Sequence, residues 1–182
     1  QRGPEEKKLY VMYDQIYWVL TYGKTKHYDP VNLRPEIKDY TIYVDGISKY
    51  LAATGVRVGW AFGPKRIMDK MKSILSHLGA WAPKPEQVAT SRFLRNGAAM
   101  NSFIDSFKQK VEERLVKIYE GFTKLKKEGF KVDCVEPMAA IYLTVQFDLK
   151  GMKTKEGKIL ATQDDVTTYL LNEAKLAIVP FY

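Results

Sequence analysis

The sequence predicts an α/β fold, and three observations carry that reading. Short β-rich runs separated by turn-forming residues fill the first third of the chain. From Lys65 onward, apolar residues recur at 3–4 spacing, the period of an amphipathic helix. A long helical stretch then leads into a second strand–helix–strand unit, which sets a boundary near Gly97 and divides the chain into parts at 1–97 and 98–182.

The elements follow in order. Residues 9–13 (LYVMY) form a short apolar run that reads as a buried strand ending at Asp14. Residues 22–35 read as loop, broken by Gly23, Asp29-Pro30 and Arg34-Pro35. Residues 40–44 (YTIYV) predict a second strand closed by Asp45-Gly46, and the alternating run 56–62 (VRVGWAF) a third, stopped by Gly63-Pro64. Ile67, Met71, Ile74, Leu75 and Leu78 mark a helix from Lys65, and Pro85 is placed to open another over 86–95. Phe103, Phe107, Val111, Leu115, Ile118, Phe122 and Leu125 line one face of a long helix over 101–128, with Gly129 at its C-cap. Strands are expected at 130–135 and 141–147, then a basic glycine-containing loop at 150–158 (KGMKTKEGK). Thr162 to Asp165 suit the cap of a helix running to about Lys175, and 176–179 reads as a last strand.

Composition narrows the function classes. The 182 residues include 29 Lys+Arg and 21 Asp+Glu, a formal charge of +8, with 46% hydrophobic and 27% charged residues. These proportions are those of a globular chain and exclude a disordered or collagen-like one. The longest apolar runs fall far short of the ~20 residues that span a bilayer, so a soluble protein without a membrane partner is expected. A single cysteine, Cys134, excludes a disulfide within the chain and fits a reducing, cytoplasmic setting. One cysteine and two distant histidines, His27 and His77, assemble no metal cluster, so no metal is expected. The basic runs at 124–127 and 150–158 lack interleaved aromatics that would stack bases, and no nucleic-acid partner is expected. Because the chain starts at Gln1 and stops on the apolar Pro180-Phe181-Tyr182, it is expected to be a portion of a longer protein.

The segment 45–60, DGISKYLAATGVRVGW, carries the chemistry. A glycine-containing turn after a strand presents Ser48 and Lys49 at the strand's C-terminal edge, where open α/β sheets bind ligands. Arg57 lies eight residues beyond Lys49, flanked by Gly55 and Gly59, which allow close backbone approach. A lysine near an arginine and small residues suits a phosphorylated cofactor held through an imine, with the guanidinium gripping phosphate oxygens. On spacing alone, other readings stay open: solvated surface charges for Lys49 and Arg57, a strand-end cap for Asp14, a plain turn residue for Ser48. Trp60, Trp81, Phe103 and Phe107 are expected to pack a core or an interface, and Cys134 to act as a small buried hydrophobe.

This segment resembles the pyridoxal-phosphate lysine signature of class I and II aminotransferases: Ser-Lys, five residues, Gly, one residue, Arg, one residue, Gly. Upstream, Asp14-Gln15-Ile16-Tyr17 is similar to the family's Asp-Glu-Ile-Tyr segment, and 137–149 (PMAAIYLTVQFDL) looks like its small-domain strand. The resemblance implies part of a fold-type I enzyme. Residues 1–97 would be the C-terminal part of the large cofactor-binding domain, a mostly parallel sheet with helices. Residues 98–182 would be an α/β small domain cut short at its C-terminus. The implied cofactor is pyridoxal 5′-phosphate (PLP), bound as a Schiff base to Lys49, which then moves the substrate's α-proton. Asp14 would face the pyridine nitrogen, Tyr17 the ring's phenolic oxygen and Arg57 the phosphate.

Two departures stand out. Gln15 occupies a position where the family often has Glu, and little consequence is expected from it. Gly46 stands where many members carry a phosphate-binding serine. The family's phosphate loop, its ring-stacking aromatic and its asparagine all precede this segment, and its carboxylate-binding arginine follows it. These residues therefore hold about half an active site and are expected to be inactive alone. The implied reaction is amino transfer between an amino acid, aspartate favoured, and a 2-oxo acid, by a cytoplasmic homodimer in amino-acid metabolism. The alternatives are a fold-type I carbon–sulfur lyase and a non-catalytic basic binding domain.

Overall fold

Residues 9–181 are described by a computed structural model, and their strands pair into two separate sheets. Helices and sheet strands follow one another as an α/β arrangement requires. The chain divides into two compact units, one reaching to Arg114 and including Met138–Ile141, the other made of Leu115–Pro137 and the residues from Tyr142 on.

The first unit is built on a three-stranded sheet of order β1-β2-β3. β1 (Val11–Asp14) runs parallel to β2 (Thr41–Gly46), with Val11 opposite Thr41 and Asp14 opposite Val44. β3 (Gly59–Phe62) is antiparallel to β2, pairing Tyr43 with Phe62 and Gly46 with Gly59. Flanked on both sides, β2 is the buried strand: Thr41, Ile42, Tyr43 and Asp45 all lie inside. Tyr43 stacks on Phe62 with ring centroids 4.6 Å apart and meets Tyr13 edge-on at 5.7 Å. β1, by contrast, leaves Val11 and Met12 exposed.

β2 does not stop where the sequence pattern suggests. Asp45-Gly46 extends the strand instead of closing it, because Gly46 meets Gly59 across the ladder without a side chain on either. A Cβ on Gly46 would sit 2.9 Å from both Gly59 Cα and the Val58 carbonyl oxygen. β3 starts later than expected: Thr54–Val56 forms a 3₁₀ turn, and Arg57 adopts the left-handed region at φ 60° before Gly59 begins the strand.

The crossover from β1 to β2 is not all loop. Leu20 and Tyr22 are buried, and their backbones pair with residues 138–140 through Tyr22 N–H to Met138 O (2.9 Å) and Ala140 N–H to Leu20 O (2.8 Å). Asp29 caps the short α1 (Pro30–Leu33), its Oδ1 accepting from the Val31 and Asn32 amides and from the Tyr43 hydroxyl. A 3₁₀ turn, Pro35–Tyr40, leads into β2.

Helix α2 (Lys65–Leu78) has the predicted span and ends on Gly79 at φ 63°. α3 (Lys84–Arg95) carries Pro85 in its first turn, as its ring permits. α4 (Gly97–Lys127) begins four residues before the expected start at 101, and the division between the compact units falls within this helix, after Arg114. Phe130 N–H closes the helix end on Leu125 O at 3.1 Å, and Gly129 sits at φ 92°. Trp81 and Phe103, expected to pack, are 50% and 41% exposed.

The second unit contains the antiparallel pair β4 (Val132–Cys134) and β5 (Val145–Phe147), with Phe122 edge-on to Phe147 at 5.7 Å. Both strands are shorter than the runs at 130–135 and 141–147 suggested. α5 (Gln163–Asn172) is capped by Thr162 and ends three residues short of Lys175. The last expected strand is absent: 176–179 joins no ladder among the described residues, and Val179 is 91% exposed. An apolar run becomes a strand only where another strand offers hydrogen bonds. Among the described residues, no helix is long and apolar enough to cross a membrane, and no cluster of His, Cys, Asp or Glu is placed to hold a metal.

Candidate functional site

The pairing of β1 and β2 decides where the chemistry collects. Because the two strands are parallel, Asp14 and the turn after Gly46 emerge at the same edge of the sheet. β3 enters antiparallel at Gly59 opposite Gly46, so Arg57, two residues upstream, lies at that edge as well. Asp14 on β1 and Arg57 ahead of β3 are then two interstrand spacings apart, about 10 Å at ~4.8 Å each. The C-terminal edge of parallel strands is where open α/β sheets take ligands.

Each predicted residue is locally explicable. Asp14 Oδ1 accepts from the Ile16 amide at 3.1 Å, an Asx turn that swings the chain out of the strand. Three residues on, the Tyr17 ring lies under Lys49, whose Nζ is 5.7 Å from the ring centroid. Lys49 is half-buried in the turn after β2, and none of the ion pairs among the described residues engages it. Ser48 is a turn residue whose carbonyl accepts from the Thr54 hydroxyl at 3.0 Å. Arg57 is exposed, and its Nη1 donates to Thr54 O at 2.8 Å. Gly59 makes the close backbone approach expected of it, since a Cβ there would lie 3.0 Å from Asp45 O. Gly55 does not: a Cβ at that position would meet nothing within 4 Å. The packing behind Gly46 also accounts for its departure from serine, because any side chain would push β2 and β3 apart.

Sequence reasoning missed the residue that ties these turns together. Asp45, read as part of a closing turn, is 6% exposed. Its Oδ2 accepts from Gln15 Nε2 at 3.3 Å and Trp18 Nε1 at 3.1 Å, and its Oδ1 from the Gly46 amide at 2.7 Å. Burial pushes the Asp45 carboxyl above its ordinary value; the three N–H groups pull the other way without prevailing, and nearby Asp14 adds to the rise. Tyr50, buried beside it, is pushed up to about 12 by desolvation and by the Asp45 charge. The available signal was a pair of side-chain N–H donors, Gln15 and Trp18, placed together in the short turn after Asp14. Cys134 is elsewhere, half-buried, its thiol pushed up by desolvation and by Asp133, which suits packing better than nucleophilic attack.

The donor set fits PLP. An amine that no ion pair among the described residues engages, a carboxylate, a phenol and a guanidinium share one edge, and the acid and the guanidinium stand on opposite sides of the lysine's strand. A planar ligand that is cationic at one end and anionic at the other matches that order of charges.

Comparison with known proteins concerns the chain as a whole. Residues 4–182 match the family described as aminotransferase class I and II. The chain is 33% identical over 173 residues to an aspartate aminotransferase from Geobacillus stearothermophilus, covering 93% of this chain and 40% of that protein. It is 33% identical over 171 residues to a probable aspartate/prephenate aminotransferase from Rickettsia felis, again with 93% and 40% covered. The crystal structure of the aspartate aminotransferase from Rhizobium meliloti superposes with a TM-score of 0.81 at 27% identity, over 94% of this chain and 41% of that one. The chain thus spans about two-fifths of the length of these relatives.

Proposed function

Since the chain belongs to the class I and II aminotransferase family, we propose that it forms the lysine-bearing part of a PLP-dependent aminotransferase. The observation that carries this reading is the convergence of Asp14, Tyr17, Lys49 and Arg57 on one sheet edge, produced by the parallel β1–β2 pair and the Gly46–Gly59 contact. When bound, PLP supplies an electron sink that delocalises the charge left on a substrate carbon. The remaining work falls to side chains of this chain. Lys49 contributes the amine that anchors the cofactor covalently, and its Nζ holds and returns the α-proton. Asp14 keeps a pyridinium proton in place, which a neutral side chain would not. Tyr17 orients the ring through its hydroxyl, and Arg57 grips phosphate oxygens through its fork of N–H donors.

The substrates in this reading are an amino acid, aspartate favoured, and a 2-oxo acid, handled by a cytoplasmic homodimer. Support for aspartate comes from the relatives' names. Residues 1–97 serve as large-domain sheet and helices, and 98–182 as small domain. The 182 residues alone are inactive in this reading, lacking a phosphate loop and a carboxylate-binding arginine; sustained turnover by them would overturn that point. The decisive experiment is borohydride reduction of the full-length protein with PLP, followed by peptide mapping. A reduced adduct on Lys49 is the expected result, and its absence would sink the mechanism. Release of a thiol or sulfide instead of an exchanged amino group would favour a carbon–sulfur lyase.

A further inference from the structure

We propose that Asp45 is a positioning residue of the cofactor site, and that its carboxylate is what requires glutamine at position 15; this inference rests on the functional reading above. The argument starts from cost. A buried carboxylate survives only with hydrogen bonds or a cation to compensate for lost water. No lysine or arginine pairs with Asp45 among the described residues, so the compensation comes from the neutral N–H groups of Gln15, Trp18 and Gly46.

Those donors belong to two different segments. Gln15 and Trp18 flank Tyr17 in the turn after β1, while Gly46 is the last residue of β2, three before Lys49. One carboxylate therefore clamps the turn carrying Tyr17 to the strand end carrying Lys49. The Gln15 amide, donating to Val44 O at 3.0 Å, extends the parallel ladder and fixes the direction of its side chain. Glutamate at position 15 would set a second carboxylate at the 3.3 Å contact, so that one of the two must take up a proton or swing away. Either response loosens the turn beneath Lys49. Asp14 and Tyr50 are the other titratable groups that feel Asp45, and neither can donate a compensating positive charge. The substitution of Gln15 for glutamate, expected to be inconsequential, thus has a partner 30 residues away.

A charge-swap cycle tests the proposal in the full-length protein loaded with PLP. The parent, Gln15→Glu, Asp45→Asn and the Q15E/D45N double variant are compared by PLP dissociation constant and by the pH midpoint of the bound cofactor's absorbance. Gln15→Glu should weaken PLP binding roughly tenfold and move the midpoint, a coupling normal for groups in one hydrogen-bond network. In the double variant the amide introduced at position 45 can donate to the carboxylate introduced at position 15 while its oxygen accepts from Gly46, and only the Trp18 bond is given up. Both readouts should then return part of the way to the parent. Additive effects, or a Gln15→Glu protein indistinguishable from the parent, would overturn the proposal. Should Gln15→Glu fail to accumulate, Trp18→Phe removes a single donor, and unchanged affinity and midpoint in that variant would overturn it equally. Failure of the parent to form a Lys49 adduct sinks the functional reading and this inference together; an adduct with no coupling sinks only the inference.

Discussion

Asp45 in the first unit and Asp165 in the second do similar mechanical work, yet their carboxyls titrate in opposite directions. Asp165 sits in the first turn of α5 and completes a capping box, accepting from Thr162 N–H at 3.0 Å and Thr162 Oγ1 at 2.9 Å. It also meets Lys158 Nζ at 2.7 Å, and these partners hold it well below the usual carboxylate range. Asp45 has three donors of its own, but it lies inside the protein and has no cation among the described residues, so lost hydration outweighs them. The capping box favours its charged carboxylate and stabilises the fold. The sheet edge holds its carboxylate at a cost, and in return joins two turns whose relative placement matters for chemistry. The capping carboxylate thus serves the fold, and the buried one the geometry of the sheet edge.

The sharpest test of that separation is Lys49→Ala. In the full-length protein, removing the amine should cut turnover by about 10²–10⁴-fold, the range for a lost proton-transfer group, while leaving thermal stability nearly unchanged. A large drop in melting temperature would mean that the lysine turn also holds the fold. Gly46→Ser comes next. Its new side chain would meet backbone at 2.9 Å on β3, so unfolding should cost about 1–3 kcal/mol less, as for other overpacked sites. If denaturant melts instead show a protein as stable as the parent, the tight β2–β3 approach is wrong. Thr162→Ala in the second unit should remove about 1 kcal/mol, typical of a lost N-cap, with PLP affinity untouched. A change in cofactor binding there would break the division of labour.

The smallest effects are in pH dependence, and their signs are opposite. The raised value of Asp45 means that its contribution to stability is fully present below the ordinary carboxylate value of 3.8 and is lost as pH rises through the folded-state value. The lowered value of Asp165 means that its contribution is present above 3.8 and is lost as pH falls towards the folded-state value. Asp45→Asn should therefore flatten the stability profile on the neutral side, and Asp165→Asn on the acid side. Denaturant melts across an acid-to-neutral series, showing both substitutions acting on the same limb, would contradict the assignment.

Much of this was legible in the sequence because it depends on near neighbours. The 3–4 apolar spacing gave the full span of α2, and the Thr162–Asp165 box gave the start of α5. The positions of Lys49 and Arg57 followed from a motif within a single segment. What escaped reading depends on residues far apart. Asp45-Gly46 has the composition of a turn, and only Gly59, across the ladder, keeps it in a strand. Residues 176–179 have the composition of a strand, and only a missing ladder partner among the described residues keeps them irregular.

The sequence by itself determined the four longer helices, the Thr162 cap and the Gly129 terminus, the order of the chemical groups and the family to which they belong. These are written in contacts within a turn or two of the chain, where spacing and residue type suffice. The tertiary structure alone decided which strands are parallel, and so which edge gathers Asp14, Tyr17, Lys49 and Arg57. It also decided that Asp45 is buried beneath them. Burial and strand pairing join residues dozens of positions apart, and the cost of a desolvated charge depends on everything packed around it.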